Sequence, residues 1–288
     1  MGEGQTDQKV TVLGIYAHPH DCVHALGTCG NHIKAGDSVT IAILTDGAST
    51  HHESLWEEMQ KPADQRDRKL CRQTRRDFAD QKKQEVIKAC SYFGVTDVRV
   101  LGHPDRPIQR TDEMVAEVAD LICEVRPDIL ISELHELQRD DRLMVLPNDH
   151  CTCAAVVQEA VTIASHAIIG ADRVPHGIAR IYYLATEKAY DKIDVYVDIT
   201  DQYENRVKAE TCYVSQGHTP EFARTRMERG IGHYGSRAQV MYAEGFVSSN
   251  TVVRDRLPIT DRELANARTA APHLSLIREH HASGKDGP

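Results

Sequence analysis

Short apolar runs that end at polar or turn residues recur along the first 200 residues of the chain. The first run extends from Val10 to Ile15, and similar runs occupy residues 38–47 (with their closing turn), 98–101, 128–131, 181–184 and 195–199. Runs of this length are typical of buried strands. Amphipathic helical patterns separate several of them, most clearly at residues 112–125. This alternation predicts an α/β fold with a Rossmann-like, mainly parallel sheet flanked by helices.

The segments between these runs are predicted to be helices and loops. Further helices are expected at residues 84–93, 151–167 and 208–216, a helical and mixed stretch at 219–247, and a partly helical excursion over the active edge of the sheet at 48–83. We expect three parts: a Rossmann-like domain at 1–170, a smaller C-terminal α/β portion completing the same fold at 171–250, and a polar C-terminal extension at 251–288.

Composition narrows the class of protein. A length of 288 residues supports a sizeable core, and a net charge of −9 argues against nucleic-acid binding as the main role. No apolar run approaches the roughly 20 residues that span a bilayer. The N-terminal residues lack the basic flank and apolar centre of a secretory signal. We therefore expect a cytoplasmic protein without a membrane partner, whose cysteines are mostly buried free thiols.

Candidate chemistry is concentrated where the first predicted strand ends. The sequence Ala17-His18-Pro19-His20-Asp21 brings two imidazoles and a carboxylate together within four residues. Such a cluster at the carboxyl end of a strand is typical of part of a metal site. The alternative is a polar turn in which His18 only caps the following helix.

A second group of the same chemistry lies far along the chain. Asp149 and His150 stand at the head of a predicted helix that follows a predicted strand. In a parallel sheet that strand can end beside the first one, so His18, Asp21 and His150 are predicted to form a site of two imidazoles and one carboxylate with an open position. Asp149 would orient His150 or accept a proton. By spacing alone, a set of unrelated helix caps is equally compatible with the sequence.

Three motifs in this order resemble the LmbE-like (PIG-L) de-N-acetylase family. They are Ala17-His18-Pro19-His20-Asp21, Leu101-Gly102-His103-Pro104-Asp105 and Asp149-His150, against a family pattern of roughly AHPDDE, LGxPD and HxDH. Further matches are Glu85, Asp198, Ser215-Gln216 and Ala243-Glu244-Gly245-Phe246. The resemblance therefore extends in order from about Val10 to Phe246.

This resemblance implies a metal-dependent hydrolase that removes acetyl groups from amino sugars or their conjugates. It implies one divalent metal per chain, usually Zn²⁺, with His18, Asp21 and His150 as ligands in the domain at 1–170. Lys82 and Asp105 match positions that contact the substrate. Relatives often form trimers or hexamers, so the resemblance also implies a homo-oligomer that acts on a small molecule.

The chain departs from the family pattern at the residues that handle protons. His20 replaces the usual general base, Cys22 replaces a glutamate, and Pro147 replaces the histidine that steadies the oxyanion. A proline side chain has no hydrogen-bond donor. His20, or else Asp149, is our candidate base. The alternative is that His20 is a fourth metal ligand. His24, His103 and His135 are candidates for the missing donor, and we add His103 and His135 to the predicted substrate contacts.

Three hypotheses about function follow. The leading one is hydrolysis of a C–N bond, most simply an N-acetyl group on a small sugar-like or polar molecule. The second is a metal-dependent enzyme of another class on the same scaffold, such as a lyase or an enzyme that cleaves C–C or glycosidic bonds. The third is a noncatalytic metabolite binder. The basic run from Arg66 to Arg76 suits a substrate grip, a subunit contact or a solvated helix face.

Overall fold

A seven-stranded sheet forms the centre of the computed structural model. The structure describes residues 8–49, 51–105, 107–134, 138–139, 142–143, 148–169, 172–185, 193–249, 251, 253, 255, 257 and 259–268. The strands are β1 (Thr11–Tyr16), β2 (Ser38–Thr45), β3 (Asp97–His103), β4 (Ile129–Ser132), β5 (Gln138–Arg139), β6 (Arg142–Leu143), β7 (Arg180–Leu184), β8 (Val195–Asp198) and β9 (Ala243–Ser248).

The strand order in the large sheet is β3-β2-β1-β4-β7-β9-β8, and β5 pairs with β6 in a separate two-stranded sheet. The pairs β1–β2, β1–β4, β2–β3 and β4–β7 are parallel. Strand β9 lies between β7 and β8 and is antiparallel to both of them. The predicted mainly parallel α/β sheet is therefore confirmed.

Helices cover both faces of the sheet. They are α1 (Leu26–Ala35), α2 (Glu53–Gln60), α3 (Arg75–Ser91), α4 (Asp112–Val125), α5 (Asp149–Ala164), α6 (Tyr203–Thr211), α7 (Pro220–Arg229), α8 (Ile231–Ala238) and α9 (Asp261–Arg268). A 3₁₀ helix, Asp21–Ala25, precedes α1. None of the helices in the described part of the chain combines the length and apolar character needed to cross a membrane.

The core consists of two layers because alternate residues of a strand face opposite sides. On β1, Val12 and Tyr16 pack with α1, α3 and α6, whereas Leu13 and Ile15 pack with α4 and α5. Strand β1 lies between two parallel neighbours and is almost entirely buried. It therefore delivers the residues that follow Tyr16 to the middle of the carboxyl edge of the sheet.

Three predicted elements differ from the structure. The helix expected at 84–93 is the second half of a longer helix, α3, which begins at Arg75. The stretch at 219–247, expected to be helical and mixed, contains α7 and α8 but ends in strand β9. The pattern was misleading because β9 carries Glu244 and Gly245, which break the apolar alternation of a strand. The helix expected at 208–216 begins earlier, as α6, and is followed by a separate 3₁₀ helix at Val214–Gln216.

Candidate active site

His18 and Asp21 lie in the tight turn after β1. The backbone N–H of His18 donates to Oδ2 of Asp21 at 2.8 Å, and the N–H of Asp21 donates to the carbonyl oxygen of His18 at 3.1 Å. These reciprocal bonds leave Nδ1 of His18 3.2 Å from Oδ2 of Asp21. The turn therefore holds an imidazole and a carboxylate side by side at the sheet edge.

His150 reaches the same place from the first turn of α5. The side chain of Asn148 accepts hydrogen bonds from the backbone N–H groups of His150 and Cys151, which fixes the start of this helix. Nδ1 of His150 lies 3.6 Å from Oδ2 of Asp21 and 3.4 Å from Oε1 of Glu133. The ligand atoms of His18, Asp21 and His150 all lie within 4.8 Å of one another. The structure thus brings together the three residues that the sequence predicted as ligands.

The surroundings of these three residues are acidic. Burial alone would lower the pKa of His18, but hydrogen bonds to Asp149 and Asp21 outweigh it and raise the pKa to about 10. Burial likewise opposes the charge on His150, yet Glu133 and Asp21 raise its pKa to about 9. Three carboxylates thus surround two imidazoles, and this field favours a bound cation. Two imidazoles and a carboxylate are also a donor set suited to zinc.

Asp149 contacts His18 rather than His150. Its Oδ2 lies 3.2 Å from Nε2 of His18, and its Oδ1 accepts from the backbone N–H of Ile108 at 2.8 Å. The expected orientation of His150 by Asp149 is therefore wrong for this arrangement, and Glu133, directly after β4, contacts His150 instead. The position of Glu133 at the end of a predicted strand was the signal that could have identified it.

His20 points away from the three candidate ligands and into a second cluster. Its Nε2 lies 3.1 Å from Oε1 of Glu210, and its ring meets those of Tyr213 and His218 edge-on. His20, Glu210 and His218 also have ligand atoms within 4.8 Å of one another. The structure therefore places His20 beside α6 and the loop after it, and its predicted role as base or fourth ligand stays a prediction.

Glu210 is the centre of this second cluster. Its side chain is 0% exposed, and its oxygens lie 2.8 Å from Nη1 of Arg226 and 3.8 Å from Nη1 of Arg206. Burial alone would raise the pKa of Glu210, but His20, Arg226 and Arg206 together hold it well below its usual range. Glu210 is therefore a buried anion that gathers cationic side chains around it.

Both clusters contribute side chains to one cleft of about 390 Å³, which Glu53 and His51 also line. Glu53 begins α2, and its Oε1 lies 2.9 Å from Nδ1 of His51. Its Oε2 is shielded from solvent and has no hydrogen-bond partner among the described residues. His51 has a φ of 53°, in the left-handed region that non-glycine residues seldom adopt. The cleft thus contains a carboxylate oxygen of Glu53 without a hydrogen-bond partner among the described residues, two residues after His51 with its strained backbone.

The family model described as PIG-L, GlcNAc-PI de-N-acetylase, matches residues 13–161, just over half of the chain. The chain belongs to the PIG-L family. The resemblance stated from the motifs is therefore confirmed.

Similar proteins of known function fall into two reaction classes. The 4-oxalmesaconate hydratase of Pseudomonas putida KT2440 is 24% identical over 261 residues, which cover 84% of this chain and 90% of that enzyme. The solved structure of GalB, the 4-carboxy-2-hydroxymuconate hydratase of Pseudomonas putida KT2440, has a TM-score of 0.68 at 22% identity and covers 87% of this chain and 100% of its own. The N,N'-diacetylchitobiose deacetylase of Pyrococcus horikoshii has a TM-score of 0.62 at 22% identity, with 83% of each chain covered.

These findings indicate an enzyme of the hydrolytic or hydratase type. The PIG-L fold is common to the deacetylase and to the hydratase, so the fold does not choose between the two reactions. The choice has to come from the side chains in the cleft.

Asp105 and Lys82, which the PIG-L pattern places in contact with the substrate, contact residues that do not line the cleft. The buried carboxylate of Asp105 accepts from the backbone N–H of Ser49 at 3.1 Å and lies 3.6 Å from Nη2 of Arg75. Lys82 is buried, which lowers its pKa, and its Nζ lies 5.0 Å from the centre of the Phe78 ring. Asp105 thus holds the loop after β2, and the predicted substrate contacts of Asp105 and Lys82 stay predictions.

The remaining predicted site residues lie apart from the cleft or outside the description. Nε2 of His103 lies 2.7 Å from Glu117 on α4, and His103 does not line the cleft. His135 and Pro147 lie outside the described residues. In the basic run, Arg66 donates to backbone carbonyl oxygens of its own segment, and Arg75 pairs with Asp46.

Sequence reasoning missed Glu53, Glu210, His218 and Arg226. Three of them lie on or next to α6 and α7, where single polar residues look like an ordinary solvated face. The available signal was Ser215-Gln216, which matches the PIG-L pattern and is followed directly by Gly217 and His218. Nothing comparable marked Glu210, about 190 residues after its partner His20.

Proposed function

We propose that this protein is a metal-dependent hydratase that adds water to a carbon–carbon double bond of a small unsaturated carboxylic acid. The observation that carries the proposal is the placement of proton-transfer groups. The residue at the usual base position, His20, is engaged by Glu210, while two other titratable groups, Glu53 and His218, line the same cleft as the three candidate ligands. The hydratases among the similar proteins support this choice.

His18, Asp21 and His150 would hold the metal, and their donor set suits Zn²⁺. When bound, the ion would supply Lewis-acid chemistry by polarising a substrate oxygen and easing the ionisation of water. Glu133 and Asp149 would orient the two imidazoles from outside, as carboxylates beside metal-ligating histidines commonly do.

His218 is the candidate base. Its Nδ1 lies 3.1 Å from the backbone carbonyl oxygen of Glu210, which only accepts hydrogen bonds. Nδ1 therefore carries the proton and Nε2 has the free electron pair. Burial lowers the pKa of His218, so its imidazole is neutral and able to accept a proton at neutral pH.

Glu53 is the candidate group for proton transfer to the substrate carbon, because its Oε2 has no hydrogen-bond partner in the described part of the chain. In the proposed step, water gives its oxygen to one carbon of the double bond and its proton to His218. Glu53 carries this proton from His218 to the neighbouring carbon, so both side chains return to their starting forms and the net change is addition of one water.

N-deacetylation is the second candidate. The three candidate ligands and the adjacent Asp149 match the pattern of a family described by that reaction, and this observation favours it. His20 and Pro147 count against it, because both stand where the deacetylase pattern places proton-handling side chains.

The test is a substrate panel given to the metal-loaded protein. Unsaturated hydroxy- and oxo-carboxylates are followed by loss of ultraviolet absorbance as conjugation is broken, and N-acetyl sugars by release of acetate. We expect hydration without acetate. Acetate release with no change in absorbance would overturn the proposal in favour of deacetylation.

Variants then test the two proton-transfer groups. Glu53→Gln and His218→Asn should each lower kcat by about 100-fold or more while metal content stays unchanged. Glu57→Gln is the matched control, since Glu57 lies one helical turn further along α2 and is exposed. If Glu53→Gln and Glu57→Gln were equally active, Glu53 would have no part in proton transfer.

A further inference from the structure

The cleft has walls of opposite charge. On one wall lie the candidate metal ligands, one of which is the carboxylate of Asp21, and the carboxylates of Glu133 and Asp149 contact the two imidazoles. On the other wall Arg226 reaches into the cleft from α7, beside His20 and His218. A ligand that fits both walls offers a neutral or weakly basic oxygen to a cation at one end and carries negative charge at the other.

Arg226 uses only part of its hydrogen-bonding capacity within the described part of the protein. Its Nη1 donates to Glu210 at 2.8 Å, and its guanidinium carbon lies 6.0 Å from the centre of the Phe222 ring. Its side chain is 34% exposed, and Glu210 is its one hydrogen-bond partner among residues that the structure describes. A guanidinium group has five N–H donors, so Arg226, which lines the cleft, keeps donors that Glu210 does not use.

The position of Arg226 is fixed by the buried carboxylate of Glu210. That carboxylate also holds His20 at 3.1 Å and His218 at 3.3 Å, so one anion aligns three nitrogen-bearing side chains. A guanidinium that is already oriented loses little conformational freedom when it binds an anion. Glu210 is therefore a positioning residue for this wall.

A second cation is a poor occupant of this wall even though His20, Glu210 and His218 have suitable spacing. Both guanidinium groups, of Arg226 and Arg206, already face Glu210. Burial lowers the pKa of His24 strongly, and the positive charge of Arg226 lowers it further. A positively charged environment of this kind repels a metal ion and attracts an anion.

We propose that Arg226 forms a carboxylate subsite, which selects substrates that carry a carboxylate at the end remote from the candidate metal ligands. The planar guanidinium matches a carboxylate with two parallel N–H···O bonds, as a lysine would not. This inference deepens the proposed hydratase function and rests on it for the identity of the reaction. A neutral N-acetyl sugar would leave this wall without a counter-charge.

The test measures binding rather than turnover. trans-Aconitate, which combines a double bond with three carboxylates, is titrated calorimetrically into the metal-loaded protein, and its uncharged trimethyl ester is titrated in parallel. We expect the acid to bind, the ester to bind far more weakly, and the affinity for the acid to fall as salt is added. A wild-type protein that does not bind the acid, or that binds both compounds equally, contradicts the subsite.

Variants locate the effect. Arg226→Gln should weaken binding of trans-aconitate by about 10- to 100-fold, and Arg226→Lys should weaken it less, because charge is kept while the paired geometry is lost. Arg224→Gln is the control, since Arg224 lies on the same helix with a surface partner, Glu204. Thermal unfolding without ligand checks that each variant is folded. Equal binding by Arg226→Gln and Arg224→Gln overturns the proposal.

Two further results separate this inference from the proposed function. Hydration that survives Arg226→Gln with an unchanged KM would remove the subsite and leave the hydratase reaction standing. Binding through Arg226 by a protein that only releases acetate would keep the subsite and remove the hydratase reaction. Two metal ions per chain, rather than one, would assign the second cluster to a cation and contradict the subsite.

Discussion

Histidines close together in sequence titrate in opposite directions because of the charges that face them. His18 lies among carboxylates, which raise its pKa to about 10, whereas burial beside Arg226 lowers the pKa of His24 well below its usual range. The two residues are six positions apart, but His18 faces Asp21 and Asp149 whereas His24 faces Arg226 and Arg206. The pKa of a histidine in this protein therefore depends more on the charged residues that folding places beside it than on its being a histidine.

A pH-dependent loss of stability follows from His24. Its pKa is lower in the folded than in the unfolded protein, so the unfolded chain takes up the proton first as the pH falls. The stabilisation is complete above about pH 6.5 and decreases on acidification toward the folded pKa. The charged and titratable groups that act on His24 are Arg226, His20, Arg206 and Glu210. Between about pH 7.5 and 5.5, the wild type should lose about 1 kcal/mol more unfolding free energy than His24→Gln.

Urea unfolding of the metal-loaded proteins at both pH values measures this difference. His166→Gln is the control, because His166 is exposed and its variant should follow the wild type. If His24→Gln and the wild type lost equal stability on acidification, His24 would not be a neutral histidine held in a positive field.

At the level of elements, the cleft is assembled by contacts between segments that are distant in sequence. The carboxylate of Glu85 on α3 accepts from the backbone N–H of Ser215 at 2.9 Å and from its hydroxyl at 2.6 Å. Ser215 belongs to the 3₁₀ helix that leads to Gly217 and His218. Helix α3 therefore fixes the loop that presents the candidate base.

Breaking this contact should impair catalysis without loss of metal. Glu85→Ala leaves two buried donors of Ser215 without an acceptor, at a cost of about 2–5 kcal/mol in unfolding free energy. Because His218 then becomes less well placed, we expect kcat to fall more than KM rises, with the metal retained. Ser215→Ala removes only the hydroxyl bond and should have a smaller effect, about 1 kcal/mol.

The control for this pair is Ser91→Ala, at the exposed end of α3, where the hydroxyl donates only to the carbonyl oxygen of Lys88. Its kinetics should match the wild type. A Glu85→Ala protein that is destabilised but keeps its full kcat would show that Glu85 supports the fold and does not position His218.

Periodicity predicted the elements of the parallel half of the sheet and failed for the antiparallel strand. Strand β1 is a continuous apolar run because both of its faces are buried, and helix α4 has a clear helical period because one of its faces packs on the sheet. Strand β9 has Glu244 in its buried part because that carboxylate accepts from the backbone N–H groups of Gly27 and Thr28 at the start of α1. Because Glu244 is needed as an acceptor at the start of α1, the sequence of β9 lacks the run of apolar residues that predicts a strand.

For the whole molecule, the candidate metal ligands were predictable and the opposite wall was not. His18, Asp21 and His150 occupy the ends of recognisable elements, and a parallel sheet must bring such ends to one edge. Arg226 reaches the cleft, with Glu210 buried behind it, because α6 packs against the 3₁₀ helix after β1 and α7 packs against α6. The faces that these helices present depend on tertiary contacts, which a single sequence does not encode in any local period.

Metal binding should couple this cleft to the stability of the whole protein. The ion would join the turn after β1 to the start of α5, and it binds the folded chain because the unfolded chain has no such arrangement of His18, Asp21 and His150. At a free metal concentration about 1,000 times the Kd, the stabilisation is about 4 kcal/mol. Removal of the metal by EDTA should then lower Tm by about 7 °C.

The decisive comparison is between two histidine variants, each measured by metal analysis and by thermal unfolding with and without EDTA. His150→Ala should retain no metal, and its Tm should not respond to EDTA, because the ligand from α5 is missing. His103→Ala should retain the metal and respond like the wild type, because the His103 side chain bonds to Glu117 outside the cleft. Full metal occupancy in His150→Ala would remove His150 from the ligand set. An unchanged Tm after complete removal of metal from the wild type would show that the candidate ligands are already held by Glu133, Asp149 and the fold, so that the ion serves chemistry alone.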